Sequence, residues 1–307
     1  MALDPCFAPL LAMPEMQLAP PPPGVTPAAM RAAIRQLPLP YRGPAVHAVD
    51  EVAVRGPAGP VRVRLYRANA GARQPAVVFF HGGGWVLGDL DSYDPLCRDL
   101  TRAGGFTVAS VEYRLAPEAP FPAPLEDCYA ALSGLAMRAE EFGLDAARLA
   151  LCGDSAGGNL AAAVALLARQ RGGPTIRHQA LLYPALDRAL DSPSMAEFAG
   201  GPLLTRALMD WFWECYAPGA DGTDPLASVV RTTDLGGLPP ATVVTAEYDV
   251  LRDEAERFAD RLRAAGVPVV GRRYLGMLHG FLGLQHVTPM ALRALGDVAH
   301  DLRAALA

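Results

Sequence analysis

Two runs near the start of the chain, VHAVDEVAV (46–54) and VRVRLY (61–66), alternate apolar with polar side chains. Successive residues of a strand point to opposite faces, so this alternation predicts strands of an antiparallel edge with one wet face. Six further runs follow: AVVFF (76–80), FTVASVEY (106–113), RLALCG (148–153), HQALLYP (178–184), ATVVTAEYD (241–249) and VVGRRYL (269–275). Several are continuously apolar, the pattern of strands covered on both faces. Stretches of helical periodicity separate them at 125–140, 156–171, 252–265 and 289–306. Strand and helix in alternation predict an α/β class fold, a mostly parallel sheet flanked by helices.

The first 45 residues do not follow this pattern. APPPPGV (19–25) reads as a stiff, extended spacer. Thr26 then caps a helix that opens on Pro27, where a missing N–H costs little. Met30, Ile34 and Leu37 recur at helical spacing, an apolar stripe that has to cover something. Residues 1–45 are therefore expected to form a cap segment, and 46–307 the main domain. A second departure follows the 178–184 strand, where about 55 residues pass before the next strand. This stretch contains LLTRALMDWFWECYA (203–217), with Thr205 as cap. An excursion of this length inside a compact domain is often functional, and 186–225 is expected to be a cap insertion.

Composition narrows the function classes. The chain has 307 residues, 51% hydrophobic and 19% charged, with net charge −5, so a large core is available and global disorder is excluded. There is no basic run, which argues against nucleic acid and against an anionic membrane surface. The N-terminal apolar stretch is interrupted by proline and cannot span a bilayer. The five cysteines form no CxxC pair and no metal-like spacing with histidine. Neither a metal nor a cofactor is expected, and the expected compartment is the cytoplasm.

The candidate chemistry lies at CGDSAGG (152–158), directly after an apolar strand and before a helix. G-x-S-x-G in that position is a nucleophile elbow. The turn is so tight that the residues two before and two after the serine must lack bulk, a demand met by Gly153 and Gly157. A serine hydroxyl needs a base to take its proton. His279 follows the last strand, at the carboxyl edge of the sheet where ligands of such folds bind; His286 is a weaker candidate. His47, His178 and His300 lie in strands or a terminal helix and read as structural. The base in turn needs an acid. Asp249 stands at a strand end, whereas Asp253 and Glu254 look like the charged first turn of the next helix. Finally, three successive glycines in FFHGGGWVLGD (79–89) can turn backbone N–H groups toward a developing oxyanion. The expected donors are Gly83, Gly84 and the N–H of Ala156, with His81 bracing the loop.

Taken together, HGGGW (81–85), YRLAPE (113–118), GDSAGG (153–158), AEYDVLRDE (246–254) and HGF (279–281) make the chain resemble the hormone-sensitive-lipase-like carboxylesterases of the α/β-hydrolase superfamily. The resemblance covers nearly the whole chain. It implies an eight-stranded sheet with one antiparallel strand and a cap built from the two segments above. It also implies cofactor-free hydrolysis of short- to medium-chain acyl esters by Ser155, His279 and Asp249, acting on a small hydrophobic ester. One departure is Val250, where the family commonly has proline after the acid. An amidase would use almost the same site, and a non-catalytic receptor of this fold would be free to lose its base. Trp85, Trp211, Phe212 and Trp213 are the aromatic candidates for lining a substrate pocket. A homodimer is left open.

Overall fold

The computed structural model describes residues 2–13, 20–22, 24–36, 40–219 and 224–307. Leu37 of the expected stripe, and parts of the 1–45 and 186–225 segments, lie outside the described residues. Eight strands form one sheet: β1 (Ala48–Gly56), β2 (Gly59–Arg67), β3 (Gln74–Phe80), β4 (Thr107–Glu112), β5 (Leu144–Asp154), β6 (Gln179–Leu182), β7 (Ala241–Tyr248) and β8 (Val269–Leu278). Their order is β1-β2-β4-β3-β5-β6-β7-β8. β2 runs antiparallel to both β1 and β4, and every other pairing is parallel. The helices are α1 (Ala8–Leu11), α2 (Pro27–Arg35), α3 (Asp94–Gly104), α4 (Ala123–Met137), α5 (Ala156–Arg171), α6 (Pro193–Glu197), α7 (Arg206–Tyr216), α8 (Arg252–Ala264) and α9 (Pro289–Ala305).

The continuous apolar runs are central strands that feed two cores. Along β3, Ala76, Val78 and Phe80 enter the core beneath α4, α5 and α8, while Val77 and Phe79 enter the core beneath α3 and α9. β5 divides in the same way, Leu149 and Leu151 against Ala150 and Cys152. α5 is buried from Ala156 to Ala168 without a polar face, as expected of a helix enclosed on all sides. This enclosure fixes the direction in which the residue before α5 is presented. Within the segment 1–45, Phe7 and Leu10 belong to the second core, and the Asp4 N–H donates to the Gly276 carbonyl at 3.0 Å. The chain start is therefore fastened to β8 near its carboxyl end. Among the described residues, no helix is long and apolar enough to cross a membrane.

Candidate active site

β5 passes into α5 through Ser155, whose φ of 54° and ψ of −118° are strained for a residue with a side chain. The neighbouring glycines make this turn sterically feasible. A Cβ on Gly157 would lie 1.9 Å from the Phe80 carbonyl oxygen, and one on Gly153 would lie 2.1 Å from that of Gly157. Backbone bonds hold the strained residue in place. Ser155 N–H donates to the Leu182 carbonyl at 2.8 Å, and the Ser155 carbonyl accepts from the N–H groups of Asn159 and Ala185 at 3.1 and 3.2 Å.

β8 ends one residue before His279, and β7 ends one residue before Asp249. His279 Nε2 lies 3.0 Å from Ser155 Oγ, and Nδ1 lies 2.7 Å from Asp249 Oδ2. A carboxylate at Nδ1 selects the tautomer that carries the proton there, which leaves Nε2 free to accept from the serine hydroxyl. Asp249 Oδ1 accepts from the Leu251 N–H at 2.9 Å, and the Tyr183 ring meets the imidazole edge-on at 4.9 Å. All three side chains are buried. His178 lies elsewhere, its Nε2 paired with Thr242 Oγ1 at 2.9 Å, and burial lowers its pKa to about 4; His286, the weaker candidate, borders the cavity beside the site.

The loop after β3 completes the constellation. Gly82 N–H donates to Asp154 Oδ1 at 2.8 Å and the Tyr93 hydroxyl donates to Asp154 Oδ2 at 3.0 Å, so a buried carboxyl clamps the loop to the elbow. Burial lifts the Asp154 pKa to about 6, against these two donors. Gly83 and Gly84 adopt φ of 105° and 61°, conformations that a side chain would strain. A Cβ on Gly84 would also strike the Phe212 ring at 2.2 Å. Among the described residues, the N–H groups of Gly83, Gly84 and Ala156 donate to no protein acceptor, whereas that of Gly82 is taken by Asp154. His81 is the brace: its Nδ1–H donates to the Gly82 carbonyl at 2.8 Å and its ring stacks on Tyr113 at 4.3 Å. Burial lowers its pKa to about 4 and keeps it neutral. Tyr113, from YRLAPE, donates to the His81 carbonyl at 2.7 Å, and Ala116 N–H donates to the Trp85 carbonyl at 2.9 Å.

Three observations correct or extend the sequence reading. Trp85, Trp213 and Tyr216 are fully buried, with Trp85 stacked on Tyr216 at 4.2 Å and tilted against Trp213 at 4.5 Å. Trp85 and Trp213 therefore pack against each other in the core and do not line a pocket. Asp253 and Glu254 do stand in the first turn of α8, but both also make tertiary contacts that the sequence does not show. Asp253 Oδ2 accepts from the Ser194 N–H at 2.8 Å, and buried Glu254 accepts from the N–H groups of Leu186 and Asp187 at 2.6 and 3.3 Å. The clamp on Asp154 leaves no signature in the sequence, because its partners are 61 and 72 residues away. A cavity of about 480 Å³ adjoins the site, bordered by Tyr41, Tyr93, Leu96, Asp154, Tyr183 and Leu284. α2 bears on the loop through Arg31, whose Nε–H donates to the Val86 carbonyl at 2.8 Å and which pairs with Glu118 at 2.6 Å. Among the described residues, no group of three or more His, Cys, Asp or Glu side chains could hold a metal ion.

A strained serine at the elbow, an imidazole and a carboxylate in line behind it, and unpaired amides beside it define an α/β hydrolase. A family profile described as alpha/beta hydrolase fold matches residues 77–283. The chain is 44% identical over 287 residues to the carboxylic ester hydrolase LipN of Mycobacterium tuberculosis, covering 91% of this chain and 76% of that one. It is 38% identical over 249 residues to an ethyl acetate hydrolase of Pseudomonas putida, covering 78% of this chain and 77% of that one. The hyperthermophilic esterase of Pyrobaculum calidifontis superposes with a TM-score of 0.92 at 38% identity, covering 100% of both chains. The protein belongs to the hormone-sensitive-lipase-like carboxylesterase family of the α/β hydrolases and is a carboxylic ester hydrolase.

Proposed function

We propose that the protein hydrolyses small hydrophobic esters of short- to medium-chain acids through a Ser155–His279–Asp249 triad and an acyl-enzyme. The observation that carries this reading is the unbroken relay from Ser155 Oγ through the imidazole to Asp249, with contacts of 3.0 and 2.7 Å. Ser155 Oγ attacks the ester carbonyl carbon as its proton passes to His279 Nε2, and Asp249 stabilises the resulting imidazolium. The tetrahedral oxyanion accepts from the N–H groups of Gly83, Gly84 and Ala156. Losing one such donor costs on the order of 10²–10³ in turnover. Collapse transfers the proton from His279 to the leaving alcohol oxygen and leaves the acyl group on Ser155. Water, deprotonated by the same imidazole, then releases the acid.

Residues 1–45 and 186–225 act as the cap over this site. The support is that α2 and α7 both bear on the loop after β3, through Arg31 at Val86 and Phe212 at Gly84. The mainly apolar cavity of about 480 Å³ beside the triad is of a size for a small ester group. The name of the ethyl acetate hydrolase supports the short end of the range. Five cysteines that form no disulfide support residence in the cytoplasm. The test is a chain-length series of aryl esters, run with covalent labelling of Ser155 by an organophosphate. Label and turnover should both vanish in Ser155→Ala; substantial turnover in that variant refutes the nucleophile. A rate that keeps rising into long-chain triglycerides overturns the chain-length assignment.

A further inference from the structure

Ser194, in α6 of the cap insertion, is fully buried and makes three hydrogen bonds to the loop and helix that follow Asp249. Its hydroxyl donates to the Val250 carbonyl at 2.8 Å and accepts from the Asp253 N–H at 3.0 Å, while its own N–H donates to Asp253 Oδ2 at 2.8 Å. These partners are 56 and 59 residues away in the chain. The loop is thus held from two sides, by Ser194 at Val250 and by the Leu251 N–H at Asp249 Oδ1. Residue 250 is where a proline ring would lock φ by itself. Valine leaves that torsion free, so the peptide that follows Asp249 depends on an external hold.

We infer that Ser194 is a positioning residue for the catalytic acid: by fixing the Val250 carbonyl it sets the direction in which Asp249 presents Oδ2 to His279. The inference rests on the reading of Asp249 as the acid. It also makes the acid's alignment depend on how α6 sits, because the insertion supplies the hold. A second tie, from Arg252 to Glu197 at 2.9 Å, joins the same two helices at the surface.

The experiment compares kcat and KM on one short-chain aryl ester for Ser194→Ala, Val250→Pro, the double variant and Asp249→Asn, with thermal melts of each. Ser194→Ala should lower kcat about tenfold with KM unchanged, since misplacement within the triad affects the chemical step and not binding. Val250→Pro in the same chain should recover most of that loss by restoring the torsional constraint, an outcome that a general loss of packing would not produce. Unchanged kcat in Ser194→Ala overturns the inference, as does a double variant no more active than Ser194→Ala. If Ser194→Ala alone fails to fold, Ser194→Cys takes its place: the weaker thiol donor should lower kcat with KM unchanged, and wild-type kcat overturns the inference. Wild-type turnover in Asp249→Asn would instead remove the acid assignment itself, whatever Ser194→Ala does.

Discussion

Replacing Asp154 by asparagine exchanges a buried carboxyl for an amide of the same shape, so it isolates the effect of one ionisation. The side chain is 5% exposed, and burial raises its pKa from 3.8 to about 6 although Gly82 and Tyr93 both donate to it. In the unfolded chain the group loses its proton near the lower value. Between the two values, the folded protein holds a proton that the unfolded chain has released. The contribution of this group to stability is therefore fully present below about pH 4, is lost as pH rises through about 6, and is constant above that. Roughly two pH units at about 1.4 kcal/mol each make the loss about 3 kcal/mol. Asparagine does not titrate. The stability of Asp154→Asn minus that of the wild type should thus grow by about 3 kcal/mol between about pH 4 and pH 7. Urea unfolding of both proteins across that range measures the difference, and subtraction removes the titration of every other group. A difference that stays flat refutes the argument. One that falls with pH would mean that Gly82 and Tyr93 stabilise the carboxylate by more than burial costs it.

The remaining predictions concern the triad, the elbow and the cap. His279→Asn and Asp249→Asn should each lower turnover severely, and the double variant should lose little more, because groups acting as a unit are not additive; independent, multiplying losses in steady-state assays would argue against a triad. Gly157→Ala forces a methyl to within 1.9 Å of the Phe80 carbonyl and should destabilise by about 3 kcal/mol, the upper end of overpacking, with loss of esterase activity; a chemical denaturation midpoint equal to wild type would contradict the elbow geometry. Arg31→Met removes the bonds from α2 to Val86, Ala116 and Glu118. Because α2 has no buried residue, limited proteolysis should accelerate within 27–35 while the melting temperature changes little, and unchanged cleavage would show that α2 is held by something else.

Much of the site could be read from one dimension because its demands are local. The absence of bulk at Gly153 and Gly157 is required by atoms within a single turn, and a strand end is visible as the last residue of an apolar run. α3 (Asp94–Gly104) carries a helical signal as well. Leu96, Cys97, Leu100, Thr101 and Gly104 are buried at helical spacing, and Gly105 caps the helix with φ of 70°. Its apolar pattern is short and lies between the glycine loop and the strand of 106–113, which makes it the faintest of the helical signals.

The alternation of strand and helix, the tight turn at Ser155 and the order of Ser155, Asp249 and His279 are legible along the chain, because periodicity and steric exclusion act between near neighbours. What each buried polar group touches is set by the three-dimensional fold. Asp154 meets Gly82 and Tyr93, Glu254 meets Leu186, and Ser194 meets Val250 across 56 residues or more. The fold also decides that Trp85 and Trp213 pack against each other in the core. Nothing local distinguishes these residues from solvated ones. Once the core encloses a polar group it must find a partner or pay for lost hydration, and that partner is chosen by how the chain folds back on itself.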